Sequence, residues 1–204
     1  MVSLNQLIHL KITIISYWHS FKKISTIERF GFLMVFAIII GLFLACLGPP
    51  SDADSLDYHL GVPLDWLRNS GSYPRPDWFH ARLIGLGESI NLFGLQCGTD
   101  ILGHVIQFSG LFVIWAALSH FVSGSRIHLL LALLIFTVPV NLFLVTTQKP
   151  MLFPAAALVF GFVTVLNNVA KFDRVRYIFG IICIVFAVAC KYSFLISGSI
   201  FIFG

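Results

Sequence analysis

The chain is 204 residues long, 58% hydrophobic and 11% charged, with a formal net charge of +4. Soluble domains carry about 25% charged residues, so this composition excludes an ordinary soluble protein and indicates an integral membrane protein. Its basic residues form no stripe interleaved with stacking aromatic residues, which excludes a nucleic-acid partner.

The N-terminal segment, residues 1–30, is basic and apolar. Lys11, Lys22 and Lys23 interrupt its apolar residues, which is not typical of a cleaved signal peptide. Apolar residues at helical spacing predict an amphipathic helix on the cytoplasmic membrane surface. We expect this segment to anchor the chain.

Five apolar stretches follow, and each predicts a membrane-spanning helix. About 20 apolar residues cross the hydrocarbon core, and continuous rather than alternating hydrophobicity selects helices. The predicted spans are 31–48, 101–122, 127–147, 151–170 and 177–203. The predicted fold class is therefore an all-α, polytopic transmembrane helical bundle over residues 31–204. Pro139 and Pro154 predict kinks or helix ends, and the apolar C-terminus leads us to expect truncation there.

The distribution of lysine and arginine predicts the orientation. If the N-terminus is cytoplasmic, eight of the 13 basic residues lie inside and five lie outside, as the positive-inside rule requires. Residues 49–100 then face the periplasm or a lumen. We expect a multi-pass protein of the bacterial inner membrane.

The loop formed by residues 49–100 is acidic, aromatic and rich in proline. Spacing of apolar residues predicts two interfacial helices in it, one over 54–69 and one over 78–93 that Gly85 and Gly87 interrupt. The loop holds seven of the nine carboxylates: Asp52, Asp54, Asp57, Asp65, Asp77, Glu88 and Asp100. This concentration of charge makes the loop the candidate functional region.

Asp52, Asp54 and Asp57 come directly after the first predicted span. Three carboxylates within six residues repel one another unless a cation, a basic group or a proton is shared. They are therefore suited to hold a divalent metal such as Mg or Mn, or to provide a general base. The alternative is that they are helix caps and solvated loop charges.

The residues after the aspartates carry a resemblance. The residues that carry it occur in this order along the chain: Tyr58, His59, Leu60, Pro63, Trp66, Leu67 and Gly71. It resembles the first outer loop of GT-C class glycosyltransferases, of protein-mannosyltransferase-like or lipid A aminoarabinose-transferase-like type. The resemblance covers residues 31–110. It implies a polyprenyl-phosphate sugar donor and a glycan, lipid or protein acceptor, with the chain as the N-terminal portion of such an enzyme.

The resemblance also implies roles for individual residues. Asp54 would be the general base that deprotonates the acceptor hydroxyl, while Asp52 and Asp57 would position the acceptor or hold the divalent ion. Tyr58 and His59 would contact substrate, although His59 is equally explained as a histidine bonded to a neighbouring carboxylate. Many relatives carry a second acidic residue in the next outer loop, and residues 146–151 have none.

Other candidate residues come from charge and position. Glu88 lies just before the second span, either in the site or as an ordinary charge of an amphipathic helix. Lys149 is suited to the donor phosphate or to lipid headgroups. Lys191 lies within an apolar stretch, where an ionisable group is a functional hypothesis, with Tyr192 beside it. Arg82 either contacts a phosphate or lies, like His80, on the loop surface.

Two other functions remain open. A transporter or channel would use Lys191, Pro139 and Pro154 to line a substrate path. A non-catalytic membrane scaffold would use the acidic loop as a protein-binding surface. The four cysteines contain no CxxC pair, so they support neither a disulfide framework nor a zinc site.

Overall fold

The computed structural model describes residues 25–71, 75–168 and 172–203. Within these ranges every regular element is helical, which confirms the predicted all-α class. The first 24 residues of the predicted amphipathic segment lie outside the described residues.

Helix α1 spans Thr26–Cys46 and begins before the predicted start at residue 31. Ser25 caps it, because the Ser25 side chain accepts from the backbone of Glu28 while the Glu28 carboxylate accepts from the backbone N–H of Ser25. This reciprocal capping box satisfies two amide groups that the helix itself leaves unpaired. The polar residues at 25–28 therefore start the helix rather than precede it.

The outer loop contains four short helical elements. A π-helical turn, Ser55–His59, leads into α2, Gly61–Arg68. A 3₁₀ helix, Phe79–Leu83, precedes α3, Glu88–Gln96. Both predicted helical stretches are thus present in the loop, and the second is interrupted around the two glycines as expected.

Helix α4 spans Leu102–Ser119, and α5, Ser125–Thr137, is followed by α6, Pro139–Val145. The axes of α5 and α6 differ by 59°. Val138 is extended between them, because the residue before a proline disfavours the helical conformation. The break predicted at Pro139 is therefore observed.

Helices α7, Leu152–Asn167, and α8, Arg174–Cys190, are followed by a 3₁₀ turn, Tyr192–Phe194, and by α9, Leu195–Phe203. The prediction of one continuous span over 177–203 is wrong. Lys191 has φ −156° and ψ 125°, an extended conformation that ends α8. The apolar stretch is thus divided at the one lysine, arginine or acidic residue between positions 177 and 203.

Helices α1 and α4 are long and apolar enough to cross a membrane, and the bent pair α5 and α6 qualifies if it counts as one span. Among the described residues this gives two or three candidate spans. Helix α7 is apolar and shorter.

The main core packs α1 and α4 to α7 around Leu111 and Phe136, which are fully buried. Helices α7 and α8 cross at Gly161 and Gly180, where a Cβ at Gly161 would lie 2.6 Å from the Gly180 carbonyl oxygen. Small residues at such a crossing bring two helix backbones into direct contact. This contact fixes α8 beside the core.

Candidate functional site

A buried polar seam joins the outer loop to the turn after α6. The Asn91 side-chain amide donates to the carbonyl oxygens of His59 at 2.9 Å and Gln148 at 3.1 Å. The Gln148 backbone N–H donates to the Ser55 hydroxyl oxygen at 2.8 Å. Gly103 on α4 faces the side chains of Asn91 and Gln148 so closely that a Cβ would overlap them. The seam therefore fixes the position of the residue after Gln148.

That residue is Lys149, and its ammonium lies 2.7 Å from the Asp54 carboxylate. The hydrogen bond from Lys149 lowers the pKa of Asp54 below its ordinary value, because a nearby cation favours the charged carboxylate. Asp54 is half exposed, so the pair faces the outside of the protein. The candidate base and one candidate phosphate ligand are thus in direct contact.

Lys191 belongs to the same cluster. It is partly buried at the end of α8. A Cβ at Gly87 would overlap Pro150 and lie 3.4 Å from the Cys190 carbonyl oxygen, so the residues next to Lys149 and Lys191 meet at one glycine. Two ammonium groups, contributed by separate parts of the chain, therefore lie near one exposed carboxylate.

The segment from Gly85 to Glu88 rests on the end of α8. The Leu86 backbone N–H donates to the Ala189 carbonyl oxygen at 3.0 Å, which satisfies a carbonyl that the helix end leaves unpaired. A Cβ at Gly85 would overlap the Cys190 carbonyl. Gly85, which the sequence predicts to interrupt a helix, therefore also allows the loop backbone to lie directly on the end of α8.

A buried pair lies beneath this surface. His59 Nδ1 is 2.9 Å from Glu88 Oε1, and the two side chains are only 1% and 2% exposed. The second Glu88 oxygen accepts from the Gly85 N–H at 2.8 Å. Both residues are interior, which agrees with the alternative of a histidine bonded to a carboxylate, and their contact with substrate stays a prediction. His59 Nε2 has no hydrogen-bond partner among the described residues.

A second carboxylate–histidine pair lies at the surface. His80 Nδ1 is 2.5 Å from Asp57 Oδ2, and the Trp78 indole N–H donates to Asp57 Oδ1 at 3.2 Å. The Tyr58 ring lies between the two histidines, 4.0 Å from the His59 ring and 5.4 Å from that of His80. His80 is exposed, as expected for the loop surface, and no local spacing in the sequence signals its pairing with Asp57, which lies 23 positions away.

The three clustered aspartates do not converge on one point. Asp52 accepts from the Ser55 backbone N–H at 2.9 Å, as a cap does, whereas Asp54 and Asp57 bind Lys149 and His80. Among residues 25–71, 75–168 and 172–203, no group of three or more histidine, cysteine or acidic side chains is arranged to hold a metal. The structure thus does not bring the three aspartates together as one group, because each is directed at a different protein group.

Two further candidates lie at the surface. Arg82 is exposed and donates to the Pro76 carbonyl oxygen at 3.1 Å. Tyr192 follows Lys191 and is 73% exposed. Arg82 is thus held within its own loop, whereas Tyr192 is accessible beside the cluster.

Two apolar grooves lie elsewhere. One, of about 450 Å³, is lined by the C-terminal part of α7 and the N-terminal part of α8, including Phe160, Phe179 and Arg176. The other, of about 410 Å³, lies between the N-terminal ends of α1 and α5. Both adjoin helix ends opposite to those that carry the cluster.

Comparison with known proteins places the chain in a family. No curated protein matches it, and no solved structure does. A family profile described as the DUF1420 N-terminal domain matches residues 6–204. Because the match spans nearly the whole sequence, the chain belongs to the family of the DUF1420 N-terminal domain.

Proposed function

We propose that this protein is a membrane glycosyltransferase of GT-C type, which transfers a sugar from a polyprenyl-phosphate donor to an acceptor outside the bacterial inner membrane. The observation that carries the proposal is the contact of Asp54 with Lys149, together with the convergence of the residues next to Lys149 and Lys191 on Gly87. Each of these three charged side chains is suited to this chemistry by its type and position. The resemblance of the Asp54 region to GT-C enzymes supplies the reaction class.

The chemistry of the transfer matches the charges of the cluster. When the bond between the sugar and the phosphate breaks, negative charge develops on the phosphate, and preorganised cations lower the energy of that state. Lys149 and Lys191 supply two ammonium groups. The accepting hydroxyl must also lose a proton, and the resemblance assigns that task to Asp54.

The lipid part of the donor requires an apolar surface near the cluster. Leu195 and Ile196 follow Lys191 and are 53% and 74% exposed, and Val185 on α8 is also exposed. A prenyl chain lying along α8 and α9 would bring its phosphate to Lys191. This arrangement supports a lipid-linked donor over a soluble nucleotide sugar.

The charges at the helix ends support an orientation with the cluster outside. The cluster lies at the C-terminal ends of α1, α6 and α8. The opposite ends carry basic side chains, and there Ser125 donates to Glu28 at 2.6 Å while Arg126 lies 3.5 Å from the same carboxylate. The positive-inside rule assigns that end to the cytoplasm.

A lysine substitution tests this proposal. Lys191→Met should weaken binding of polyprenyl phosphate to the purified protein by about ten- to a hundredfold, as expected for a lost charge-assisted hydrogen bond. Arg82→Met is the matched control, because Arg82 is an outer cation bonded within its own loop. Equal affinity in wild type and Lys191→Met would reject the phosphate site. Sugar release from a panel of polyprenyl-phosphate sugars tests the reaction itself.

A transporter is the second candidate, since two helical stretches are discontinuous. The bend of 59° at Pro139 and the extended Lys191 resemble the broken helices that line substrate sites in secondary transporters. Reconstitution in liposomes distinguishes the two functions. Movement of the lipid-linked sugar across the bilayer without transfer to an acceptor would favour transport.

A further inference from the structure

The surface pair of Asp57 and His80 has a defined protonation pattern. A carboxylate only accepts hydrogen bonds, so the imidazole nitrogen facing it must carry the proton. In neutral His80 that nitrogen is Nδ1, which lies 2.5 Å from Asp57 Oδ2. The lone pair is therefore on Nε2. Because the His80 side chain is 48% exposed, this pair lies at a surface that a substrate can approach.

The carboxylate that orients His80 is itself held in place. The Trp78 indole donates to its other oxygen at 3.2 Å. The Arg75 guanidinium lies 5.6 Å from the centre of the Trp78 ring and 2.9 Å from the Asp65 carboxylate on α2. A Cβ at Gly61 would lie 3.0 Å from that ring. A chain of contacts thus runs from α2 to His80, which is unusual for an incidental surface ion pair.

Three charged or ionisable groups adjoin the imidazole. Asp57 is bonded to it, the Tyr58 ring packs 5.4 Å from it, and Asp54 interacts with it electrostatically. Asp54 is neutralised by Lys149, which lowers its pKa and makes it a weaker base. A general base needs an accepting atom that a substrate can reach: the exposed His80 ring offers Nε2, whereas the Asp54 carboxylate is bound to the Lys149 ammonium. The other histidine nearby, His59, is interior.

We propose that His80, oriented by Asp57, is the base that removes the proton from the accepting hydroxyl. This inference rests on the proposed sugar transfer and reassigns the role that the resemblance gives to Asp54. The hydroxyl proton moves to Nε2, the hydroxyl oxygen bonds to the anomeric carbon, and the bond from that carbon to the phosphate oxygen breaks. The electron pair leaves with the polyprenyl phosphate. Asp54 then serves to position Lys149.

Kinetics of the full chain test the assignment. His80→Ala should lower kcat by at least about a hundredfold, the contribution typical of a general base, with little change in KM. Added imidazole should restore turnover, since the space left by an exposed side chain is accessible. Asp54→Asn should retain more of the wild-type kcat than His80→Ala does. His120→Ala, at an exposed position at the end of α4, is the control.

A spectroscopic measurement tests the pair without requiring turnover. Nitrogen-15 NMR of histidine-labelled protein at alkaline pH should show His80 protonated on Nδ1, and Asp57→Ala, which removes the acceptor, should shift the proton to Nε2. Asp77→Ala is the matched control, because Asp77 is exposed and binds Arg75 rather than a histidine. A wild-type His80 protonated on Nε2 would overturn the inference.

The outcomes separate the inference from the proposed function. Transfer by wild type that survives unchanged in His80→Ala would refute the base and leave the glycosyltransferase intact. A wild type that transfers no sugar from any polyprenyl-phosphate donor would refute both. A merely structural role for His80 would not give rescue by imidazole.

Discussion

Replacing Glu88 with alanine should destabilise the protein strongly. The substitution removes the acceptor of two short hydrogen bonds, 2.9 Å from His59 and 2.8 Å from the Gly85 N–H, in a site that is 2% exposed. Hydrogen bonds to charged groups contribute about 1.5–3 kcal/mol each, so the two together account for about 3–6 kcal/mol. The loss leaves a buried imidazole and a loop amide without partners, which neighbouring groups cannot replace.

Thermal unfolding in detergent is the assay. At about 2–4 °C per kcal/mol for a chain of this size, the midpoint for Glu88→Ala should fall by about 6–24 °C. Glu88→Gln keeps an acceptor oxygen and should lose less, while Ser89→Ala, an exposed neighbour on α3, should leave the midpoint near that of wild type. Hydrogen exchange at the Leu86 amide should accelerate in Glu88→Ala as the loop leaves α8. A midpoint for Glu88→Ala equal to that of Ser89→Ala would refute the reasoning.

Three further predictions follow from close contacts and from the outer ion pair. Gly103→Ala should displace the Gln148 turn, since the added Cβ has no space, and should lower the unfolding temperature by an amount similar to Glu88→Ala. Gly161→Leu should separate α7 from α8, where even a Cβ lies 2.6 Å from a carbonyl oxygen, and crosslinking between the two helices should be lost. The pair of Asp54 with Lys149 stabilises the protein above the ordinary carboxyl pKa and loses its effect as pH falls through the lowered pKa of Asp54. The pair is exposed and contributes about 0–1 kcal/mol, so the small difference in unfolding temperature between wild type and Lys149→Met should vanish in acid.

The helices could be predicted from the sequence because apolar runs and proline positions act locally. Pro139 shows this, since its effect on Val138 depends only on the adjacent residue. The break at Lys191 could not be predicted, because average hydropathy along 177–203 carries no information about one backbone conformation. The start of α1 was missed although the signal was present: Ser25 and Glu28 have the spacing of a capping box.

In the candidate site, single residues could be predicted from the sequence but their contacts could not. A carboxylate or an ammonium in an apolar chain stands out by its type and position, which is sufficient to identify Asp54, Lys149 and Lys191 individually. Their pairings depend on a tertiary turn, and only the structure gives them. The pair of Asp57 with His80 joins residues 23 positions apart without a shared helix, so no periodicity relates them. His59 is buried and His80 is exposed. The sequence alone does not give this difference, because burial is a property of the folded chain.

The docking of the loop onto the end of α8 has a mechanical consequence. Because Leu86 terminates the hydrogen bonding of that helix and Gly85 leaves no gap above it, α8 cannot slide along its axis or tilt without pulling on Glu88. The same helix end carries Lys191. A displacement of α8 would therefore alter the spacing of the outer cluster at the same time as it strained the loop.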